Sequence, residues 1–391
     1  MTVLVACDDA DVNEAVRAEA LIHGQHWKAF HDTAGPGALE FFVGLAHVDV
    51  MVVHATGDAS EALAMLEWVR TESPRTARVA LSDTDDRSVG LRLASVAHQV
   101  VPLPLEVGAL AQLIERVRSA TRTELLDPVR TLVGQVDRLP SPPAIFTRMT
   151  EILASPDWRI DDLADEIAQD TALTGEILRL VNSSFYGVGR EITSITQAVS
   201  LIGVEMTRFI VLGNQMFQSS GGFETWIDLD RLANRSRSVA TVARALATRE
   251  STRPDVGTRA YLAGLVSEIG LLVLARIPDI SPSIAAPVNG SAYLGAERVI
   301  FGGDRFEVGT HLLTLWGFSD EIIEAVRRLS AAETCEPGEL AWFLAMARQL
   351  AMGDGLSPED LAQPAGTSDE VDAKIAAVRA VVEGSTPVAA A

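Results

Sequence analysis

Cysteine is almost missing from this chain. Only Cys7 and Cys335 occur, so neither a disulfide framework nor a cysteine-rich zinc site is available, and a reducing cytoplasm is the compartment that fits. Basic residues are also scarce: 32 Lys and Arg face 53 Asp and Glu, leaving a formal charge of -21. Affinity for nucleic acid comes from Lys and Arg displacing counterions from phosphates, so no nucleic-acid partner is expected. The same sign disfavours docking on an anionic membrane surface, and no apolar run is read as approaching the roughly 20 residues that cross a bilayer, so no membrane partner is expected either. Residues 1–6 are apolar but lack the basic stretch and cleavage site of a secretory signal.

What is present is ordinary globular material. Hydrophobic residues make up 48% of the chain and charged ones 22%, which supports packed cores, and 391 residues exceed what one core usually holds. Two domains are expected. In the first, 1–120, continuous apolar runs at 3–6, 48–53, 79–81 and 100–101 alternate with amphipathic helical stretches at 12–22, 59–70, 87–97 and 107–118. Unbroken hydrophobicity marks strands covered on both faces, which predicts an α/β doubly wound, flavodoxin-like domain with its chemistry at the carboxyl ends of the strands. Those ends carry Cys7, Asp8 and Asp9, then His54, then Ser82, then Leu103 and Pro104.

A connector helix is predicted over 121–138, where Leu125, Leu132, Val133 and Val136 form a narrow apolar stripe. Leu139-Pro140-Ser141-Pro142-Pro143 breaks it, because each proline lacks a backbone donor and biases its predecessor away from helix. Beyond lies an all-α domain, 139–335, with helical spacing at 144–153, 160–169, 173–181, 195–202, 206–216, 229–248, 258–275, 294–301, 308–316 and 321–329. Ser194, with Gln197 three residues on, is a capping pattern for the fourth of these. A helical extension over 336–383 and a disordered tail over 384–391 complete the expected organisation.

The first module resembles the receiver domain of bacterial response regulators. In that family an acidic pair after the first strand helps bind magnesium, an aspartate accepts phosphate, and a Ser or Thr and a Lys contact it. Only Asp8, Asp9 and Ser82 keep suitable chemistry. Cys7 removes an oxygen ligand, His54 stands where the phosphorylated aspartate belongs, and Leu103 replaces the lysine. Imidazole suits softer metals than magnesium, so a pseudo-receiver that is not phosphorylated on aspartate is expected. Asp8 and Asp9 remain open between solvated loop carboxylates and a residual cation site, and His54 between a satisfied strand-end residue and a phospho-histidine or pH-responsive one.

The helical half resembles the HDOD domain, the HD-related output domain. The likeness rests on the proline-rich opening, the run Leu178-Arg179-Leu180-Val181-Asn182-Ser183-Ser184-Phe185-Tyr186-Gly187, and Ile192-Thr193-Ser194-Ile195 continuing through Ala198, Leu201 and Gly203. Asn182, Phe185, Tyr186, Gly187, Ser194 and Gly203 are read as structural members of that motif. Metal-dependent HD phosphohydrolases gather His and Asp around metal ions to activate water. Here Gly264-Leu265-Val266-Ser267-Glu268-Ile269-Gly270 puts Ser267 and Glu268 where relatives have a His-Asp pair, Arg305 replaces another histidine, and His311 is the single histidine of this half. A guanidinium cannot bind a cation. The resemblance therefore implies a non-catalytic bacterial signalling adaptor with no metal and no cofactor. It would bind a protein partner, with a homodimer open. A nucleotide or cyclic-dinucleotide sensor using Arg305, Arg327 or Arg328, and a residual phosphohydrolase, are the alternatives.

Overall fold

The computed structural model describes residues 3–22, 48–121, 125–182, 191–211, 227–277, 291–330 and 335–352, less Asp8 and a dozen scattered positions. The chain divides into two compact units. One comprises Met1–Arg138 with Leu178–Ile192 and His311–Ser319; the other comprises Leu139–Ile177, Thr193–Thr310 and Asp320–Ala391.

In the first unit the four apolar runs form strands β1 (Val3–Ala6), β2 (Val50–Ala55), β3 (Ala77–Ser82) and β4 (Gln99–Pro102), paired in parallel in that order. Nearly every strand residue is buried, as valine-rich strands covered on both faces require. Helices α1 (Ala10–Ile22), α2 (Ser60–Glu72), α3 (Arg87–Val96) and α4 (Ala109–Thr121) alternate with the strands, followed by α5 (Asp127–Gln135) within the predicted connector. The sheet and its helices are the doubly wound arrangement expected. The strand at 48–53 is shifted, however: β2 runs on to Ala55, so His54 lies inside it rather than beyond its end. The Leu103–Pro104 peptide is cis.

The second unit is helical. It contains α6 (Pro143–Ala154), α7 (Ile160–Ile167) and the start of α8 (Thr171–Asn182). After these come α9 (Ile195–Ile202), α10 (Leu229–Glu250), α11 (Val256–Val266), α12 (Ile269–Leu274) and α13 (Ser291–Phe301). The first turns of α14 (Arg305–Leu315), then α15 (Asp320–Arg327) and α16 (Leu340–Met352), finish it. Asp228 caps α10 by accepting from the Arg231 N–H at 2.9 Å, and Ser194 caps α9 through the Gln197 N–H at 3.4 Å. One helix was expected over 258–275; the structure has two, broken at Ser267 and Glu268. Residues 256–274 also qualify by length and composition as a membrane-crossing stretch, with mean hydropathy 1.3, contrary to the reading that no run comes close. That stretch is 83% buried within the protein, so its hydrophobicity is spent on packing. The helices expected at 206–216 and in the extension beyond 352, and the tail, lie largely or wholly outside the described residues.

Candidate functional site

At the carboxyl end of the parallel sheet, Cys7 follows β1 directly and sets its Sγ 3.4 Å from His54 Nδ1. Asp9 turns back onto its own helix: its Oδ1 accepts from the Asp11 N–H at 2.8 Å and the Val12 N–H at 3.0 Å, capping α1. The Val12 N–H, above all, holds this carboxyl below the usual range. Asn13 secures the loop by donating to the carbonyls of Cys7 and Asp9, a contact with no signal in the motif. Ser82, the last residue of β3, accepts at its Oγ from the Thr84 N–H at 3.3 Å, and its carbonyl accepts from the Leu103 N–H. Asp8 lies outside the described residues. A thiol, an imidazole and a leucine do not form the oxygen cage of a magnesium site, so the receiver-type metal does not fit these residues.

The HD-type centre is built by close helix crossings. A Cβ on Gly264 would overlap the backbone of Ala240 in α10, and one on Gly270 would overlap the Arg305 carbonyl and the Gly309 amide of α14. These two glycines let α11 and α12 meet α10 and α14 backbone to backbone. Between them the helix breaks, with the Ser267 Oγ donating to the Gly264 carbonyl at 2.8 Å. Glu268, 1% exposed, is thereby placed among guanidinium groups from three other helices. Arg235 of α10 donates to its Oε2, Arg348 of α16 donates to its Oε1, and Arg305 Nη1 stands 3.9 Å from Oε2. Arg305 is itself clamped by Glu297 of α13, which accepts from the Arg305 backbone N–H at 2.9 Å and from Nε at 2.8 Å, and also from Nη2.

Of the residues expected at this centre, the structure brings Glu268 and Arg305 together and turns Ser267 into a backbone partner. Arg235, Glu297 and Arg348 were missed. Arg348 left a trace, as the lone charge in the apolar stretch 340–352, and its guanidinium lies 4.7 Å from the centroid of the Phe306 ring. Arg327 and Arg328 are engaged elsewhere, both on Glu324, with Arg328 also on Glu339 at 2.7 Å. The Arg327 hydrogen bond, first among several, pulls Glu324 down to about 2. His311 is buried in α14. Among the described residues no three His, Cys, Asp or Glu side chains converge as a metal site. Both Glu268 oxygens are occupied by guanidinium groups, so the dinuclear chemistry of HD hydrolases does not fit this centre.

Asn182 pairs with Ile192, donating from Nδ2 to its carbonyl at 2.8 Å and accepting at Oδ1 from its N–H at 2.7 Å. Gly203 ends α9 at φ +84°, where glycine is at ease. Phe185, Tyr186 and Gly187 lie outside the described residues. Trp316 and Trp342 are core residues, with Arg179 over the Trp316 ring at 5.0 Å; Trp226 is outside the described residues.

A parallel α/β receiver-like module joined to an HD-related helical domain with replaced ligand positions defines the class. Direct comparison supports this for the helical half: residues 139–332 match the HDOD domain, so the chain carries an HDOD domain, a domain of signalling type. An uncharacterized protein of Treponema pallidum is 21% identical over 260 residues, 62% of this chain and 49% of the relative, so the chain spans about half the length of that curated relative. Among solved structures, the MmoQ response regulator from Methylococcus capsulatus is 26% identical, with 61% of this chain and 97% of that one covered and a TM-score of 0.49. A virulence factor from Campylobacter jejuni is 22% identical, with coverages of 66% and 92% and a TM-score of 0.48.

Proposed function

We propose that this chain is a non-catalytic signal-transduction regulator of the bacterial cytoplasm, which binds a protein partner through its HDOD domain and carries a pseudo-receiver that is not phosphorylated on aspartate. The observation carrying this reading is the replacement at the HD-type centre. Arginine side chains hold Glu268 where a hydrolase would hold cations, and a cationic fork neither coordinates metal nor lowers the pKa of water. The Cys7–His54 pair makes the parallel case at the sheet, since it offers no carboxylate to accept phosphate.

Two measurements test the two halves. Intact mass after incubation with acetyl phosphate and Mg²⁺ is expected to be unchanged, and metal analysis of protein loaded with Mn²⁺ is expected to give far less than one ion per chain, with no turnover of a phosphate ester. A stable 80 Da adduct, which is one phosphoryl group, or stoichiometric metal with hydrolysis would defeat the non-catalytic reading. For the partner, the helical half used as bait in its native cell should retain a specific protein, and a bait that retains only its own copies would replace the adaptor by a homodimer.

A further inference from the structure

The buried ion network around Glu268 does not balance. Arg235, Arg305 and Arg348 bring three guanidinium groups, and Glu268 and Glu297 bring two carboxylates. Four of these five are within about a tenth of full burial and Arg235 has a side chain 12% exposed. All three guanidinium groups are charged at neutral pH, so these five side chains by themselves carry one net positive charge. The neighbouring Asp304 favours the charged form of Arg348 and so offsets part of this charge, but its oxygens are committed elsewhere. Its Oδ2 is 2.6 Å from Arg298 and accepts from Ser330 Oγ, while its Oδ1 caps α14 through the Phe306 and Glu307 N–H groups.

The unspent donors point the same way. Arg305 Nη1 and Arg235 Nε are buried and have no hydrogen-bond partner. They belong to the two guanidinium groups that flank the same oxygen, Glu268 Oε2. Burial, with Arg348 and Arg305 adding to it, pushes Arg235 down to about 8, and burial with Arg305 pushes Arg348 to about 9. The cluster therefore keeps its charge at neutral pH while paying for it in desolvation.

We propose that this cluster is an oxyanion site, in which one phosphate group bridges Arg235 Nε and Arg305 Nη1 and enters past the partly exposed Arg235. Planar guanidinium donors match a tetrahedral oxyanion better than chloride, which sets the chemical class. The site is independent of the partner-binding reading: an anion here would act as an effector of the helical domain, and its absence would leave the adaptor reading untouched.

The test uses the full chain in chloride buffer, titrated with inorganic phosphate, adenosine monophosphate or cyclic diguanylate at constant ionic strength. Inorganic phosphate is expected to raise the melting temperature of the helical unit saturably, by about 3–5 °C at ten times Kd. Arg235→Gln should abolish the rise, and Arg327→Gln, on the Glu324 pair, should keep it. If Arg235→Gln does not melt cooperatively, Arg235→Lys decides, with binding at least about tenfold weaker expected because the fork is lost. Phosphorus NMR of the wild-type protein reads binding without any variant. A nucleotide binding more tightly than free phosphate would assign the group to an ester, and equal affinity would assign it to the free ion. The proposal falls if phosphate gives no saturable signal by melting and NMR, or if the signal is as strong in Arg235→Gln.

Discussion

Asp170 makes the sharpest test of the packing described above. It is 1% exposed at the start of α8, and its Oδ1 accepts from the Ala172 N–H at 2.7 Å and the Leu173 N–H at 3.0 Å. Oδ2 has no hydrogen-bond partner; Ser141 Oγ is near enough to favour the charge but makes no well-formed bond. Burial outweighs these donors and raises the carboxyl from 3.8 to about 6. Because the folded pKa lies above the unfolded one, the folded state holds the proton more tightly. This group's contribution therefore falls as pH climbs from about 4 to above 6, and the difference corresponds to about 3 kcal/mol. Asp170→Asn keeps an acceptor for the two N–H groups, gives Ser141 Oγ a donor, and carries no charge. It is expected to stabilise the helical unit at pH 7 by about 2–3 kcal/mol and to lose that advantage near pH 4. Urea denaturation of both proteins at half-unit steps from pH 4 to pH 8, compared as a difference, removes the other titrating groups. A variant less stable than wild type at pH 7, or a difference that does not change with pH, would refute the reasoning.

Three further outcomes follow from the same contacts. Gly270→Ala forces apart the crossing of α12 and α14 and should cost about 1–3 kcal/mol or more by urea midpoint, whereas an alanine at the exposed Gly295 should cost far less. Glu268→Gln removes a buried charge held by three arginines and should destabilise the helical unit by about 3–5 kcal/mol, read by thermal melting. Asn182→Ala strands the buried N–H and carbonyl of Ile192 and should cost the first unit about 1–3 kcal/mol, with faster amide exchange at Ile192 as the local readout.

The departures from the two family patterns could be read without coordinates. A ligand must be a particular residue type, and Cys7, His54, Leu103, Ser267 and Arg305 are of the wrong type wherever they lie. What takes the vacated place could not be seen. Arg235 is 33 residues from Glu268 and Arg348 is 80 away, so nothing local marks them as partners. Likewise Asp9 read equally well as a loop carboxylate or a cation ligand until its oxygen was found on the α1 amides.

Periodicity and composition by themselves determined the element types, the parallel α/β character of the first module and the all-helical character of the second, because burial on two faces or on one stripe imprints a repeat on neighbouring residues. Tertiary structure decided where the helix at 258–275 breaks, which segments join the first unit, and that five charged side chains gather in one buried cluster. Those outcomes depend on backbone approach at Gly264 and Gly270 and on charge balance across distant helices, and neither leaves a mark within a short stretch of sequence.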